Sequence, residues 1–86
     1  MSDLYMKEPS TIVMYSTSWC PDCTRAKKFL DKKKVDYIDI DIEADEKGRD
    51  FVMQINDGAR VVPTIIFPDG DKLVEPSTAE LRAKLG

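Results

Sequence analysis

The sequence contains no histidine, and its only cysteines are Cys20 and Cys23. Structural zinc is usually held by four histidine or cysteine ligands, so one chain of this composition is not expected to hold it. Acidic residues also outnumber basic ones, which gives the chain a net charge of −3. A nucleic-acid-binding domain normally carries a basic surface that shifts the whole balance. We therefore expect neither a bound metal nor a nucleic-acid partner.

Long apolar runs are missing as well. A membrane-spanning helix needs about 20 mostly apolar residues, and no such stretch occurs. Residues 1–10 include three charged side chains and lack the apolar centre of a secretory leader. These features predict a cytoplasmic protein without a membrane partner. The 86 residues suffice for one small domain, which we expect to be a monomer formed by residues 10–86 after a short lead-in over residues 1–9.

The apolar pattern predicts strands and helices in the order βαβ–α–ββ–α. Strands are expected over residues 11–15, 37–42, 61–67 and 72–75. Helices are expected from Pro21, between residues 43 and 57, and after Ser77 as N-cap. The first βαβ unit implies two parallel strands with a right-handed crossover, and the last two strands imply an antiparallel hairpin. The result is an α/β fold whose four-stranded mixed sheet has helices on both faces.

The segment Trp19-Cys20-Pro21-Asp22-Cys23 lies where the first strand passes into the first helix. Pro21 suits the first helical position, which makes Cys20 the cap residue. Unpaired N–H groups of the first turn then favour a thiolate at Cys20, and we expect its sulfur to face solvent. Cys23 follows one helical turn later. This context predicts a thioredoxin-like fold with a redox-active Cys20–Cys23 disulfide, Cys20 attacking and Cys23 resolving.

Three other interpretations of the cysteine pair are a structural disulfide, a zinc half-site completed by a second protomer, and two simple buried thiols. A disulfide between residues three apart closes too short a loop to stabilise much. Redox activity is the favoured interpretation because of the strand–CxxC–helix context.

Asp22 places a carboxylate between the two cysteines. Its charge opposes ionisation of Cys20, which would make the pair more reducing. An equally simple role is that of an acidic first-turn residue that favours the helix N-terminus.

Two further features stand out. Pro63 enters the third strand in Arg60-Val61-Val62-Pro63-Thr64, and a proline there marks an edge, a bulge or a special turn. Basic residues also cover much of the first helix. We interpret this basic face as ordinary solvated surface, with an acidic protein partner as the alternative; its members are Arg25, Lys27, Lys28, Lys32, Lys33 and Lys34.

Residues 11–85 resemble the glutaredoxin family, and within it the mycoredoxin-like branch. The resemblance is carried by Tyr-Ser-Thr-Ser-Trp-Cys-Pro-Asp-Cys (15–23), by Asn-Asp-Gly-Ala-Arg-Val-Val-Pro-Thr (56–64), and by Asp69-Gly70 followed by Pro76-Ser77. It implies an oxidoreductase that reduces protein disulfides, or mixed disulfides between proteins and a small thiol. Such an oxidoreductase requires no bound cofactor, because the small thiol acts as co-substrate.

The resemblance also implies roles for individual residues. Pro63 is expected to be cis and to lie beside Cys20, and the Val62 backbone to pair with a bound thiol. Trp19 would form an apolar shelf beside the sulfur, with Pro21 and Asp22 completing the active-site shell. Thr17, Gln54 and Arg60 stand at positions associated with binding of the small thiol.

Two departures bear on the identity of that thiol. Thr17 stands where glutathione-using members often have a basic residue, and Glu75-Pro76-Ser77-Thr78 stands where they often have Gly-Gly and Asp. Both changes remove contacts to glutathione, so the resemblance favours mycothiol or a similar thiol, or thioredoxin reductase, as electron source. An alternative function is an iron–sulfur cluster carrier, in which Cys20 of two protomers and two small thiols hold the cluster.

Overall fold

The computed structural model describes residues 7–85, and it contains four strands and three helices. They are β1 (Ile12–Ser16), α1 (Pro21–Lys32), β2 (Tyr37–Asp41), α2 (Glu46–Ile55), β3 (Thr64–Ile66), β4 (Lys72–Val74) and α3 (Thr78–Leu85). The predicted element order is confirmed. Residues 1–6 of the predicted lead-in lie outside the described residues, and Pro9 at its end is fully buried.

The strands form one mixed sheet in the order β2-β1-β3-β4. β1 pairs parallel with β2, and Ser16 lies opposite Asp41 at the end of the ladder. β3 is antiparallel to both β1 and β4, with Thr64 opposite Tyr15. All five residues of β1 are buried, as expected of the continuous apolar strand at the centre of the sheet. The predicted four-stranded sheet is therefore confirmed.

Alternate side chains of β1 point to opposite faces of the sheet. One face is covered by α1 and α3, and its cluster includes Ile12, Met14, Ala26, Leu30 and Leu81. The other face is covered by α2, and its cluster includes Val13, Tyr15, Ile40, Phe51 and Val52. Helices thus cover both faces, as the sequence predicted.

α3 begins with the predicted capping arrangement. The Glu80 N–H donates to the Ser77 hydroxyl, and the Ser77 N–H donates to a Glu80 carboxylate oxygen, both at 3.1 Å. This reciprocal pair satisfies two backbone donors at the start of the helix. Leu81 then lies fully buried against α1 and the sheet.

Two elements begin three residues later than predicted. β3 begins at Thr64 and not at residue 61, because Pro63 has no N–H for the ladder and the Val61 carbonyl accepts from the Thr64 hydroxyl at 2.7 Å. α2 begins at Glu46 and not at residue 43. There the Asp41 carboxylate accepts from the Glu43 N–H at 2.9 Å and forms a local turn.

Gly48 lets α2 lie close to β2. A Cβ at this position would stand 2.9 Å from Cγ2 of Ile40, which is buried and has a stiff branched side chain. Replacing Gly48 therefore forces the helix away from the strand.

We expect Gly48→Ala to lower the free energy of unfolding by about 1 kcal/mol. Overpacking costs about 1–3 kcal/mol, which exceeds the gain of up to about 1 kcal/mol in helix propensity. Urea unfolding measures the change, with Asp50→Ala on the exposed side of α2 as a control of small effect. A more stable Gly48→Ala protein would show that propensity outweighs the contact with Ile40.

Candidate active site

Cys20 is the N-cap residue of α1, with an extended backbone at φ −85° and ψ 115°. Pro21 occupies the first helical turn, as its fixed φ and missing N–H favour. The Cys23 N–H donates to the Cys20 sulfur at 3.2 Å, and the Thr24 N–H donates to the Cys20 carbonyl at 3.1 Å. The predicted cap position of Cys20 is thus confirmed, and an otherwise unpaired helix donor points at its sulfur.

The loop before β3 brings the backbone of Val62, which precedes Pro63, to the same sulfur. The Val62–Pro63 peptide bond is cis, as the resemblance implied. The Cys20 sulfur lies 3.9 Å from the Val62 carbonyl oxygen. This approach follows from the sheet, because β3 is antiparallel to β1 and therefore starts where β1 ends.

Cys20 is more covered than the sequence suggested, since only 6% of the residue is exposed. The Val62 carbonyl lies on one side of its sulfur and the first turn of α1 on the other. Trp19, which immediately precedes Cys20 in the chain, is 67% exposed. Access to Cys20 is therefore restricted, whereas the aromatic side chain beside it in the chain is exposed.

Cys23 lies behind Cys20 and is fully buried. Burial, and after it a hydrogen bond with the Cys20 side chain, are the main causes that raise the pKa of the Cys23 thiol to about 12. The Thr17 backbone N–H and the Lys27 ammonium act on this pKa in the opposite direction. Both cysteines are free thiols here, and Cys23 keeps its proton at neutral pH.

Most of the predicted thiol-binding residues share one groove of about 180 Å³. Its lining consists of Thr17, Trp19, Ile42, Glu43, Arg60 and Val62. The groove thus brings together three of the four residues expected to bind a small thiol, together with the Trp19 shelf. Its two charged side chains, Glu43 and Arg60, have opposite signs.

Ile42 and Glu43 were not predicted as site residues. They follow β2, which is parallel to β1, and the carboxyl ends of parallel strands lie at one edge of the sheet. The Ile42 N–H donates to the Ser16 carbonyl at 3.0 Å, which holds the two strand ends together. The parallel βαβ unit was the signal in the sequence that could have located them.

Thr17 is 4% exposed, and among residues 7–85 its hydroxyl oxygen has no hydrogen-bond partner. A buried hydroxyl without a partner is costly in a folded protein. Thr17 therefore offers an unused hydrogen-bonding group in the wall of the groove.

Gln54 does not reach this groove. It lines a different groove, of about 360 Å³, together with Lys7, Asp57, Gly70 and Lys72 among others. Gln54 lies near the C-terminal end of α2, whereas the cysteines lie where β1 ends and α1 begins. The structure thus separates Gln54 from the other predicted thiol-binding residues.

Asp22 forms an ion pair with Arg25, one turn further along α1, at 3.0 Å. Both side chains are about half exposed, so solvent screens their charges. The Arg25 guanidinium partly offsets the Asp22 carboxylate, and the expected opposition of Asp22 to a Cys20 thiolate is correspondingly weaker.

Residues 7–85 contain no group of three or more histidine, cysteine, aspartate or glutamate side chains that could hold a metal ion. None of the helices in this part of the chain has the length and apolar content needed to cross a membrane.

Two thiols one helical turn apart, the first at a helix N-terminus beside a cis-proline loop, can exchange with a disulfide and close on each other. On a four-stranded sheet of this topology, that arrangement defines a thiol–disulfide oxidoreductase with a thioredoxin-like fold.

Comparison with known proteins narrows this class. Residues 12–74 match the glutaredoxin family model, and the chain belongs to the glutaredoxin family. It is 41% identical over 76 residues to mycoredoxin 1 of Corynebacterium glutamicum, covering 88% of this chain and 94% of that protein.

Solved structures share the fold. The thioredoxin-like protein BC3987 is similar with a TM-score of 0.76 and 27% identity, over 86% of this chain and 99% of that one. A glutaredoxin from Archaeoglobus fulgidus also has a TM-score of 0.76, at 24% identity, over 100% of this chain and 98% of that one.

The raised pKa of Cys23 makes the stability of the reduced protein depend on pH. In the unfolded chain Cys23 ionises near pH 9.0, whereas in the folded chain it keeps its proton to about 12. Between these values the unfolded state binds fewer protons, so the free energy of unfolding falls as pH rises. We expect urea unfolding under reducing conditions to show a steeper fall for the wild type than for Cys23→Ala across this window. Parallel curves for the two proteins would contradict a perturbed Cys23.

Proposed function

We propose that this protein reduces protein disulfides and mixed disulfides between proteins and a low-molecular-weight thiol, with Cys20 as nucleophile and Cys23 as resolving thiol. The observation that carries the proposal is the hydrogen bond from the Cys23 N–H to the Cys20 sulfur at the start of α1. A donor in that position stabilises a thiolate on Cys20 and places Cys23 within one turn of it.

The reaction consists of two exchanges. The Cys20 thiolate attacks one sulfur of the substrate disulfide, forms a mixed disulfide and releases the other sulfur as a thiolate. Cys23, after losing its proton, attacks the Cys20 sulfur, closes the Cys20–Cys23 disulfide and releases the second substrate thiolate. The substrate gains two electrons and the cysteine pair loses them. Two equivalents of a small thiol, or a reductase, then restore both thiols.

The environment of Cys23 suits the second exchange. Burial is the largest cause of the raised pKa of Cys23, and two contributions from Cys20 add to it: a hydrogen bond with its side chain and the charge of its thiolate. Both contributions disappear once Cys20 is in a mixed disulfide, whereas the Thr17 N–H and the Lys27 charge still favour the Cys23 anion. Cys23 therefore becomes easier to ionise at the step in which it must attack.

The small thiol is proposed to occupy the groove beside Trp19. The Val62 backbone pairs with it, Arg60 and Glu43 meet its charged or hydroxyl groups, and the Thr17 hydroxyl offers a buried hydrogen bond. Mycothiol or a thiol like it is the favoured co-substrate, because Thr17 replaces a basic residue and because mycoredoxin 1 is a relative at 41% identity. Thioredoxin reductase is the alternative electron source.

The proposed setting is a reducing cytoplasm, where a dithiol of this kind is kept reduced between turnovers. The chain is proposed to act as a monomer, because both sulfurs and the groove come from one chain.

The test of the function is turnover of a mixed disulfide between a small thiol and a peptide. We expect Cys20→Ser to lose activity to the uncatalysed background with every electron source, because the other thiol, Cys23, is buried and protonated and cannot attack a substrate disulfide. The assay compares mycothiol, glutathione, bacillithiol and thioredoxin reductase, with mycothiol fastest. Activity that survives in Cys23→Ser indicates a one-cysteine route, and its loss indicates the dithiol route. Full activity of Cys20→Ser would contradict the proposal.

A separate prediction concerns the binding of the small thiol in the groove that Arg60 lines. We expect Arg60→Gln to raise KM for the thiol by about tenfold, since a charge-assisted hydrogen bond contributes about 1.5–3 kcal/mol. Gln54→Ala is the matched control and should leave KM unchanged, because Gln54 lines the other groove. Steady-state kinetics with a fixed disulfide substrate measure both values. A raised KM in Gln54→Ala with none in Arg60→Gln would place the thiol elsewhere.

Anaerobic purification separates this function from the cluster carrier. A colourless monomer supports the oxidoreductase, and a brown dimer with visible absorption supports an iron–sulfur carrier.

A further inference from the structure

A third groove, of about 480 Å³ and larger than the other two, runs between α1 and α3. Its lining consists of Arg25, Lys28, Phe29, Lys32 and Lys33 on the α1 side and Thr78 and Arg82 on the α3 side. The α1 residues are spaced three and four apart, which places them along one face of the helix. Leu30 and Leu81 pack in one apolar cluster beneath, so the two walls are held by the core.

The charge of this groove is uniform. Five of its lining residues are cations and none is a carboxylate, although the chain as a whole has a net charge of −3. Arg25 is paired with Asp22, and the Lys33 ammonium lies 5.8 Å from the Phe29 ring centroid. For Lys28, Lys32 and Arg82, residues 7–85 provide no ion-pair partner. Cations held this close repel one another, and an anionic partner would relieve that repulsion.

Along the axis of α1, the groove begins about one and a half turns beyond Cys20. Arg25 lies five residues beyond Cys20 on the same helix, a rise of about 7.5 Å, and Lys33 lies about 20 Å from Cys20 along the axis. About six residues of extended chain span that length. A polypeptide whose disulfide meets Cys20 can therefore lie along this face, where Phe29 adds a half-buried apolar contact.

We infer that the α1–α3 groove docks an acidic segment of the protein whose disulfide reacts at Cys20. The inference rests on the proposed function and adds the chemistry of the partner: carboxylate side chains next to the reacting cysteine. A protein segment fits better than nucleic acid, because a chain of net charge −3 repels a long polyanion outside the groove. Such docking accelerates encounter most strongly at low ionic strength.

The test uses two synthetic peptides of equal length, each with one cysteine held in a mixed disulfide with thionitrobenzoate. One peptide has glutamates on both sides of the cysteine, and the other has glutamines. We expect the reduced wild-type protein to react about tenfold faster with the glutamate peptide at low salt, and to lose this preference at high salt.

Matched variants test whether the preference for the glutamate peptide depends on the α1–α3 groove. Lys28→Glu with Lys32→Glu should abolish it, and Lys28→Gln with Lys32→Gln should weaken it with less risk to the helix. Lys47→Glu with Arg49→Glu on α2 makes the same change in net charge on the other side of the sheet and should keep the preference. Equal rates for the two peptides with the wild type, or equal loss in both charge-reversed variants, would overturn the groove assignment.

A binding measurement separates docking from redox chemistry. Dye-labelled forms of both peptides with serine in place of cysteine are titrated with protein, and fluorescence anisotropy reports the affinity. Tighter binding of the glutamate peptide, lost in Lys28→Glu with Lys32→Glu, supports docking even if no disulfide is reduced, in which case only the proposed function fails. Equal binding of the two peptides by the wild type would overturn docking, whatever the redox activity.

Discussion

The backbone N–H of Cys23 donates a hydrogen bond to the sulfur of Cys20 across 3.2 Å, and this contact gives the two sulfurs of the site different properties. It exists because Pro21 starts the helix immediately after Cys20, so that Cys20 remains a cap residue with its side chain over the first turn. Cys23 is carried one turn inward by the same helix and is fully buried. The front sulfur thus accepts a hydrogen bond from the helix, whereas burial raises the pKa of the rear sulfur, Cys23, to about 12 and keeps it protonated.

Three segments meet at this contact because of the sheet topology. The ends of β1 and β2 lie at one edge through parallel pairing, and β3 begins at that edge because it is antiparallel to β1. The Val62 carbonyl therefore comes to 3.9 Å from the Cys20 sulfur, and Ile42 and Glu43 complete the groove beside it. The sheet thus brings the three segments together, and the residues just beyond its strand ends line the site.

The sequence predicted the reactive half of the molecule better than the binding half. The apolar run of β1 and Pro21 after Cys20 are local signals, so the strand, the helix start and the cap position could be inferred directly. The shortened β3 and α2 could not, because local hydrogen bonds at Val61 and Asp41 replace regular structure there. Gln54 and Arg60 were both predicted to bind the small thiol, yet they line different grooves. Which groove a side chain enters depends on packing between elements distant in the chain, and spacing alone carries no information about it.

The central claim is that α1 makes Cys20 the reactive thiol and keeps Cys23 buried as the resolving thiol. Brief alkylation of the folded, reduced protein at neutral pH tests this claim most directly. Peptide mass spectrometry then locates the label. The account predicts a single iodoacetamide adduct on Cys20, with Cys23 modified only after unfolding. Labelling of Cys23 at a comparable rate, or an unreactive Cys20, would contradict it.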